Sequence, residues 1–440
     1  MPPFDLETCA RPNILSLQPY RCARDDFKAD GANVLLDLNE NAYGPALQNA
    51  ITSANPFLNP AHLHRYPDRL QAQLKHQFCA FRNSHAHSKQ VLTPDNIFLG
   101  NGSVEAIDAL IRAFCTPRKD SILICPPTYG MYAVSAQVND VAVLKIPLLS
   151  PPTFALNLAA ILHALSTTPN IKLIYLASPG NPTGSLLSKS DILHILAHPT
   201  WNGILVLDEA YVDFTSLDES ASLAGLVTEF PNLVVLHTLS KAFGLAGIRL
   251  GAAWAPPPIA RLLNALKAPW NIPDPSAALA SHALSEQGIA AMRRNRARVV
   301  LQRERLLREL MSIWRVGKIR SGTDSNFLMF EVLNELGELD NAVAGAVYEK
   351  LAKVGVLVRF RGNEVGCHSC LRVTVGAEGQ NDQFLNALKK ALIQVHSGLG
   401  EGVVDLEVEE EQAAGRGSGA VVSDSSSSFD FVGDKEGRGD

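Results

Sequence analysis

Ser240-Lys241-Ala242-Phe243-Gly244-Leu245-Ala246-Gly247-Ile248-Arg249 follows closely on an apolar run, Leu233-Val234-Val235-Leu236. The run reads as a buried strand, which places Lys241 at a strand end. A small hydroxyl residue precedes the lysine, and two glycines and an arginine follow within eight residues. A buried lysine has a depressed ammonium pKa and becomes a usable amine nucleophile. Ser240 and Arg249 can hold a phosphate beside it. The combination suits an aldehyde that carries its own phosphate anchor. A surface lysine in a glycine-containing turn would look much the same, so the rest of the chain has to decide.

Working outward, Ile97-Phe98-Leu99, Ser121-Ile122-Leu123-Ile124-Cys125, Ile171-Lys172-Leu173-Ile174-Tyr175-Leu176 and Ile204-Leu205-Val206-Leu207 have the same character as the run before Lys241. Such short, continuous runs rich in branched residues, alternating with helical patterns, predict an α/β fold. Its mostly parallel sheet is sandwiched by helices on both faces. Ligands of such sheets bind outside the carboxyl ends of the strands. The polar residues fall there: Pro126-Pro127-Thr128-Tyr129, Ser178-Pro179-Gly180-Asn181, Asp208-Glu209-Ala210-Tyr211 and Ser240-Lys241. Packing alone does not explain four strand ends with four kinds of polar group. Gly100-Asn101-Gly102-Ser103-Val104-Glu105 follows another strand and opens a helical pattern over 106–114, which would offer free backbone N–H groups to an anion. It is not a Walker A loop, because no Gly-Lys-Ser/Thr follows.

The chain has 440 residues, 46% of them hydrophobic and 19% charged, enough for one large or two medium soluble domains. The formal net charge is −5; residues 401–440 hold 11 acids and 3 bases, or −8, leaving +3 for the remainder. Neither value marks a nucleic-acid binder. No apolar run reaches membrane-spanning length, and the N-terminus lacks the pattern of a signal or transit peptide, so a cytoplasmic protein is expected. Seven scattered cysteines argue for reduced thiols. Cys367 and Cys370 form one C-x-x-C pair without a second, and the histidines at 62, 64, 85 and 87 lack a placed carboxylate, so no metal site is expected.

A smaller α+β domain is expected after the long charged helical segment at 292–314. It would carry strands at 327–332, 356–359 and 371–375 and helices near 340–354 and 382–395. The resulting division is an N-terminal segment (1–45) packed with the small domain, a large domain (46–288), the small domain (289–397) and an acidic, Ser-rich, disordered tail (398–440).

Leu38-Asn39-Glu40-Asn41-Ala42-Tyr43-Gly44-Pro45, Arg65-Tyr66-Pro67-Asp68, Pro126-Pro127-Thr128-Tyr129-Gly130-Met131-Tyr132, Asn181-Pro182-Thr183-Gly184 and Asp208-Glu209-Ala210-Tyr211 occur in that order. The lysine stretch and Leu371-Arg372-Val373-Thr374-Val375-Gly376 follow. In order and spacing they resemble the fold-type I pyridoxal-phosphate aminotransferases, most closely the histidinol-phosphate aminotransferase family of class II. The resemblance covers roughly residues 10 to 397. One departure is Ala42, where the family usually has proline.

The resemblance implies pyridoxal 5'-phosphate as cofactor, an aspartate-aminotransferase-like fold and a homodimer with shared active sites. It implies that Lys241 is the covalent anchor and proton carrier and that Asp208 pairs with the pyridine nitrogen. Asn181 and Tyr211 would donate to the ring's phenolic oxygen, and Tyr129 would stack on the ring. Ser103, Val104 (through its backbone), Ser240 and Arg249 would cradle the phosphate, with Tyr66 reaching the neighbouring subunit's phosphate. Asn39, Tyr43, Arg359 and Arg372 would bind substrate, Arg372 holding the α-carboxylate. No role is assigned to Glu209. The implied reaction is ping-pong exchange of nitrogen between L-histidinol phosphate and 2-oxoglutarate, giving imidazole-acetol phosphate and L-glutamate, as in L-histidine biosynthesis. An aromatic amino acid aminotransferase, or a threonine-phosphate decarboxylase-like lyase on the same fold, would share most of these residues.

Overall fold

The structure is a computed structural model, and it describes residues 4–15, 63–84, 91–215 and 221–397. Seven strands form the larger sheet: β1 (Ile97–Gly100), β2 (Ser121–Ile124), β3 (Ala142–Lys145), β4 (Ile171–Ala177), β5 (Ile204–Asp208), β6 (Leu233–Thr238) and β7 (Gly251–Trp254). Their spatial order is β1-β7-β6-β5-β4-β2-β3. β3, β2, β4, β5 and β6 run parallel, while β7 is antiparallel to both β6 and β1.

The continuous apolar runs are buried on both faces because alternate side chains serve two cores. On β5, Leu205 and Leu207 enter one core cluster, and Ile204 and Val206 the other. Each such side chain contributes roughly 1.5–3 kcal/mol by leaving water. Helix Ser103–Phe114 packs in the second core through Ala106, Ile107, Leu110, Ile111 and Phe114.

Three strands were not expected from the sequence. β3 is the sheet edge and is not buried, although its run Val141-Ala142-Val143-Leu144 is as apolar as that of the inner strands. β7 reads Gly-Ala-Ala-Trp, without branched residues, yet every residue is buried. A Cβ on Gly251 would lie 2.3 Å from the backbone nitrogen of Ser103, so this strand is small because the start of the Ser103–Phe114 helix presses on it. The third is β8 (Val316–Ile319), which joins β9 (Phe327–Val332), β10 (Arg359–Phe360) and β11 (Cys370–Thr374) in an antiparallel sheet of order β10-β11-β9-β8. β10 differs from the strand expected at 356–359, since its register with β11 begins only at Arg359. Helices Glu286–Ser312, Asn341–Lys353 and Glu378–His396 cover this sheet through Leu306, Leu310, Val347, Leu351, Leu385 and Leu388.

Residues 4–15 correct a second expectation. Cys9, Ala10 and Ile14 pack into the core of the seven-stranded sheet, and the Arg11 amide donates to Ala113 O at 3.0 Å. That is the large sheet's side of the molecule, whereas the N-terminal segment was expected on the small domain. Leu36 to Glu40 and the acidic tail lie outside the described residues. No helix among the described residues is long and apolar enough to cross a membrane. All six described cysteines, Cys367 and Cys370 included, are buried and unpaired, and burial pushes both of those thiols up to about 12.

Candidate active site

The carboxyl ends of β2, β4, β5 and β6 open on one cavity of about 590 Å³. β7 runs the other way, so its beginning reaches the same edge and Arg249 enters from there. From the seven-stranded sheet the cavity receives Tyr129, Asn181, Asp208, Tyr211, Ser240 and Lys241, together with Ser103, Val104 and Arg249; from the four-stranded sheet it receives Arg359, Arg361 and Arg372. Of these twelve residues, eleven are expected from the sequence, and Arg361 is the one that is not.

Asp208 ends β5 and is buried. Burial raises its pKa, and a hydrogen bond from Tyr132, one from the Ala210 amide and the charge of Lys241 pull it back. Tyr132 Oη donates to Asp208 Oδ2 at 2.7 Å, and Ala210 N donates to Oδ1 at 3.1 Å. A carboxylate held in this way favours a cationic N–H partner, which would offset the cost of its burial. Tyr132 is itself fixed: its ring stacks on Tyr175 at 4.9 Å, and Tyr175 Oη donates to Ile107 O at 2.9 Å. Tyr132 lies one helical turn after Tyr129, within a motif already singled out, and the i,i+3 spacing is the signal that could have found it.

Lys241 departs from the expected buried lysine. Its side chain is exposed where it lines the cavity. The ammonium pKa is still lowered, first by partial burial against the cavity wall, then by the charges of Arg372 and Arg249, with Asp208 opposing. Its Nζ lies 5.6 Å from the centre of the Tyr211 ring. Burial pushes the Tyr211 phenol up to about 12, so it is a donor at neutral pH.

The anion cradle is built by close approach. Helix Ser103–Phe114 starts at Gly102, with φ +74° and no side-chain cap, so its first N–H groups are left to a ligand. A Cβ on Gly102 would lie 2.6 Å from an Arg249 guanidinium nitrogen, so glycine is what lets the guanidinium lie against the loop. Thr238 Oγ1 donates to Ser240 Oγ at 2.9 Å and orients that hydroxyl.

The two sheets meet at one oxygen. Asn181 Oδ1 accepts from Arg372 and, at 3.3 Å, from Arg361. Arg372 also lies over the Phe327 ring at 5.0 Å, and burial and the neighbouring Arg361 lower its pKa to about 10. With Oδ1 engaged by arginines, the Asn181 amide nitrogen is the end able to donate into the cavity.

Glu209, for which the sequence suggested no role, points away from the cavity. It accepts from Ser222 Oγ at 2.5 Å and from the Leu223 amide at 2.6 Å, tying down the chain that follows Tyr211. Nearby, Asp213 pairs with Arg82 at 2.9 Å and with His237 at 2.8 Å in a buried cluster behind the cavity. Tyr66 does not line the cavity; it is 49% exposed and stacks on Trp270 at 4.5 Å. Asn39 and Tyr43 lie outside the described residues. No metal-binding group of three or more His, Cys, Asp or Glu side chains occurs among the described residues.

The sequence pattern of the class I and II aminotransferases matches residues 33–390. The chain belongs to this family. This aminotransferase is 48% identical over 397 residues to a histidinol-phosphate aminotransferase of Schizosaccharomyces pombe, covering 90% of the chain and 99% of the relative. It is 44% identical over 401 residues to the Saccharomyces cerevisiae protein of the same name, covering 89% and 99%. In fold, the aminotransferase is similar to the crystal structure of the Sinorhizobium meliloti histidinol-phosphate aminotransferase in complex with pyridoxal-5'-phosphate. The TM-score is 0.67, with 21% identity over 81% of this chain and 90% of that one.

Proposed function

We propose that this aminotransferase uses pyridoxal 5'-phosphate to exchange the amino group between L-histidinol phosphate and 2-oxoglutarate, a reaction of L-histidine biosynthesis. The carrying observation is a single cavity in which Lys241 and the buried Asp208 of one sheet face three arginines of the other. The names of the yeast relatives, matched over nearly their full length, support the substrate.

The residues fit the cofactor group by group. The uncapped helix start at Ser103 and Val104, with Ser240 and Arg249, would hold the phosphate; Asp208 would hold the ring nitrogen as a cation; Tyr129 would cover the ring; Asn181 and Tyr211 would donate to its phenolic oxygen; Lys241 would anchor the aldehyde. When bound, the cofactor supplies an electron sink for the bond broken at the substrate α-carbon. Lys241, with its lowered pKa, takes the proton at that α-carbon as a base and returns it as an acid. Arg372 orients the α-carboxylate of glutamate by a forked pair, and Asn181 fixes the guanidinium. Arg359 would meet the distal anion of either substrate, and Asn39 and Tyr43, which match substrate-contacting positions of the family, would bind substrate too.

The same reading makes the protein a cytoplasmic homodimer in which exposed Tyr66 reaches the partner's phosphate. Residues 46–288 would be the large domain and 289–397 the small one.

Two experiments test it. The first compares turnover of histidinol phosphate and phenylalanine with 2-oxoglutarate as acceptor. Histidinol phosphate is expected to have the higher kcat/KM by more than about 100-fold, since losing buried ionic contacts costs about that much; equal values would make it an aromatic aminotransferase. In the second, Tyr132→Phe removes one charge-assisted hydrogen bond from Asp208. Turnover is expected to fall roughly 10- to 100-fold with the cofactor still bound. The sign follows from Tyr132 lowering the Asp208 pKa, so its loss lets the carboxyl become neutral more easily. Unchanged kcat in Tyr132→Phe would remove Tyr132 from the site.

A further inference from the structure

We propose that Arg361 is a specificity-determining residue that exchanges its partner Glu364 for the phosphate of the substrate. This rests on the reading of the cavity as a site for histidinol phosphate. Arg359 and Arg361 are two residues apart, and Arg359 lies directly opposite Arg372 in the β10–β11 register. Strand alternation therefore puts all three guanidiniums on one side, and all three line the cavity.

They are not equivalent. Arg359 is exposed, whereas the Arg361 side chain is 16% exposed and donates to Asn181 Oδ1 at 3.3 Å. Its position is built. A Cβ on the next residue, Gly362, would lie 2.2 Å from Asn341 Oδ1, and Asn341 Nδ2 donates to Gly362 O at 3.0 Å. The Arg361 amide also donates to Cys370 O at 2.9 Å, continuing the β10–β11 pairing by one residue.

Arg361 forms a close ion pair with Glu364, three residues on. The pair is incompletely satisfied: Arg361 Nε and Glu364 Oε2 are both buried with no hydrogen-bond partner among the described residues. Arg361 also crowds Arg372, whose pKa its charge depresses. An anion entering between the arginines relieves that repulsion. A phosphate monoester, with up to two charges and three acceptor oxygens, can engage the planar fork of Arg361 more fully than a single carboxylate can. Glu364 then swings out of the pair toward solvent, its side chain being 29% exposed. A carboxylate substrate brings less charge and leaves the Arg361–Glu364 pair closed. One cavity so accepts a phosphate in one half-reaction and a dicarboxylate in the other.

The test compares wild type, Arg361→Gln and Glu364→Gln holoenzymes in separate half-reactions with histidinol phosphate, unphosphorylated histidinol and glutamate. Arg361→Gln is expected to lower kcat/KM for histidinol phosphate by about 10- to 100-fold, mostly through KM. Histidinol should change less than about threefold and glutamate only slightly. Glu364→Gln should lower KM for histidinol phosphate, since the competing acid is gone. Equal losses for histidinol phosphate and histidinol in Arg361→Gln would overturn the proposal, because Arg361 would then act only by positioning Asn181. Calorimetric binding of inorganic phosphate to the holoenzymes gives an independent readout. Arg361→Gln should raise its Kd about tenfold or more, and an unchanged Kd overturns the proposal. If wild type does not prefer histidinol phosphate, the substrate reading falls by itself, and this Kd comparison still decides the role of Arg361.

Discussion

Replacing Lys241 by alanine is expected to lower kcat by roughly 10⁴-fold, because under the proposed function one side chain would carry both the covalent anchor and the proton transfer. The structure gives the reason that no neighbour substitutes. Among the described residues, the other amines and imidazoles lie outside the cavity, whose remaining cations are arginines that stay protonated. Two further readouts separate the roles. Wild type should retain the cofactor covalently after borohydride reduction, and the variant should not, as mass spectrometry would show. Small primary amines added to the variant should restore part of the turnover, since they supply a free base at the vacated position. Turnover within tenfold of wild type would sink the mechanism, whatever the cofactor content.

The second large effect is expected for Asp208→Asn, a loss of roughly 10³-fold in kcat with the cofactor still bound. Asparagine has nearly the same shape: its one carbonyl oxygen can still accept from the Ala210 amide, while the Tyr132 hydroxyl can turn to accept from its Nδ2. What it removes is the negative charge facing the cavity. A charge at this depth is costly, and burial already raises the Asp208 pKa. Two hydrogen bonds and the field of Lys241 oppose that rise, an arrangement that makes sense when the charge has a cationic partner. Measured cofactor content near one per chain, with kcat down by about three orders of magnitude, supports this role. A kcat within threefold of wild type would remove Asp208 from the catalytic machinery. Tyr132→Phe should fall between wild type and Asp208→Asn, because it weakens the same charge without deleting it.

Much of this was legible in the sequence because it sits at the ends of apolar runs. β2, β4, β5 and β6 are continuous and branched, so their ends, and with them Tyr129, Asn181, Asp208 and Lys241, could be placed before any coordinates. β7 could not be, since a Gly-Ala strand is buried by the close approach of Ser103, a contact that has no local pattern. The surroundings of Lys241 are hidden for a related reason. The strand before it is buried, but the cavity beyond the strand end is lined by distant segments, and nothing near the lysine encodes it. Arg361 escaped because the strand was expected to stop at Arg359, and the alternation that puts Arg361 on the same side appears only when the pairing with Cys370 is known. Glu209 reads as one more acid beside Asp208; that it holds the Leu223 amide depends on a loop returning from 14 residues away.

The division of the cavity between two sheets also bears on how such a protein could be rebuilt. Lys241 and Asp208 come from residues 208–241, while the three arginines that face them come from residues 359–372. In a recombination library, a single crossover between those stretches would import another relative's acid selectivity without touching the reactive centre. Asn181 belongs to the first parent and its two arginine donors to the second, so its Oδ1 is the seam that any working chimera must rejoin.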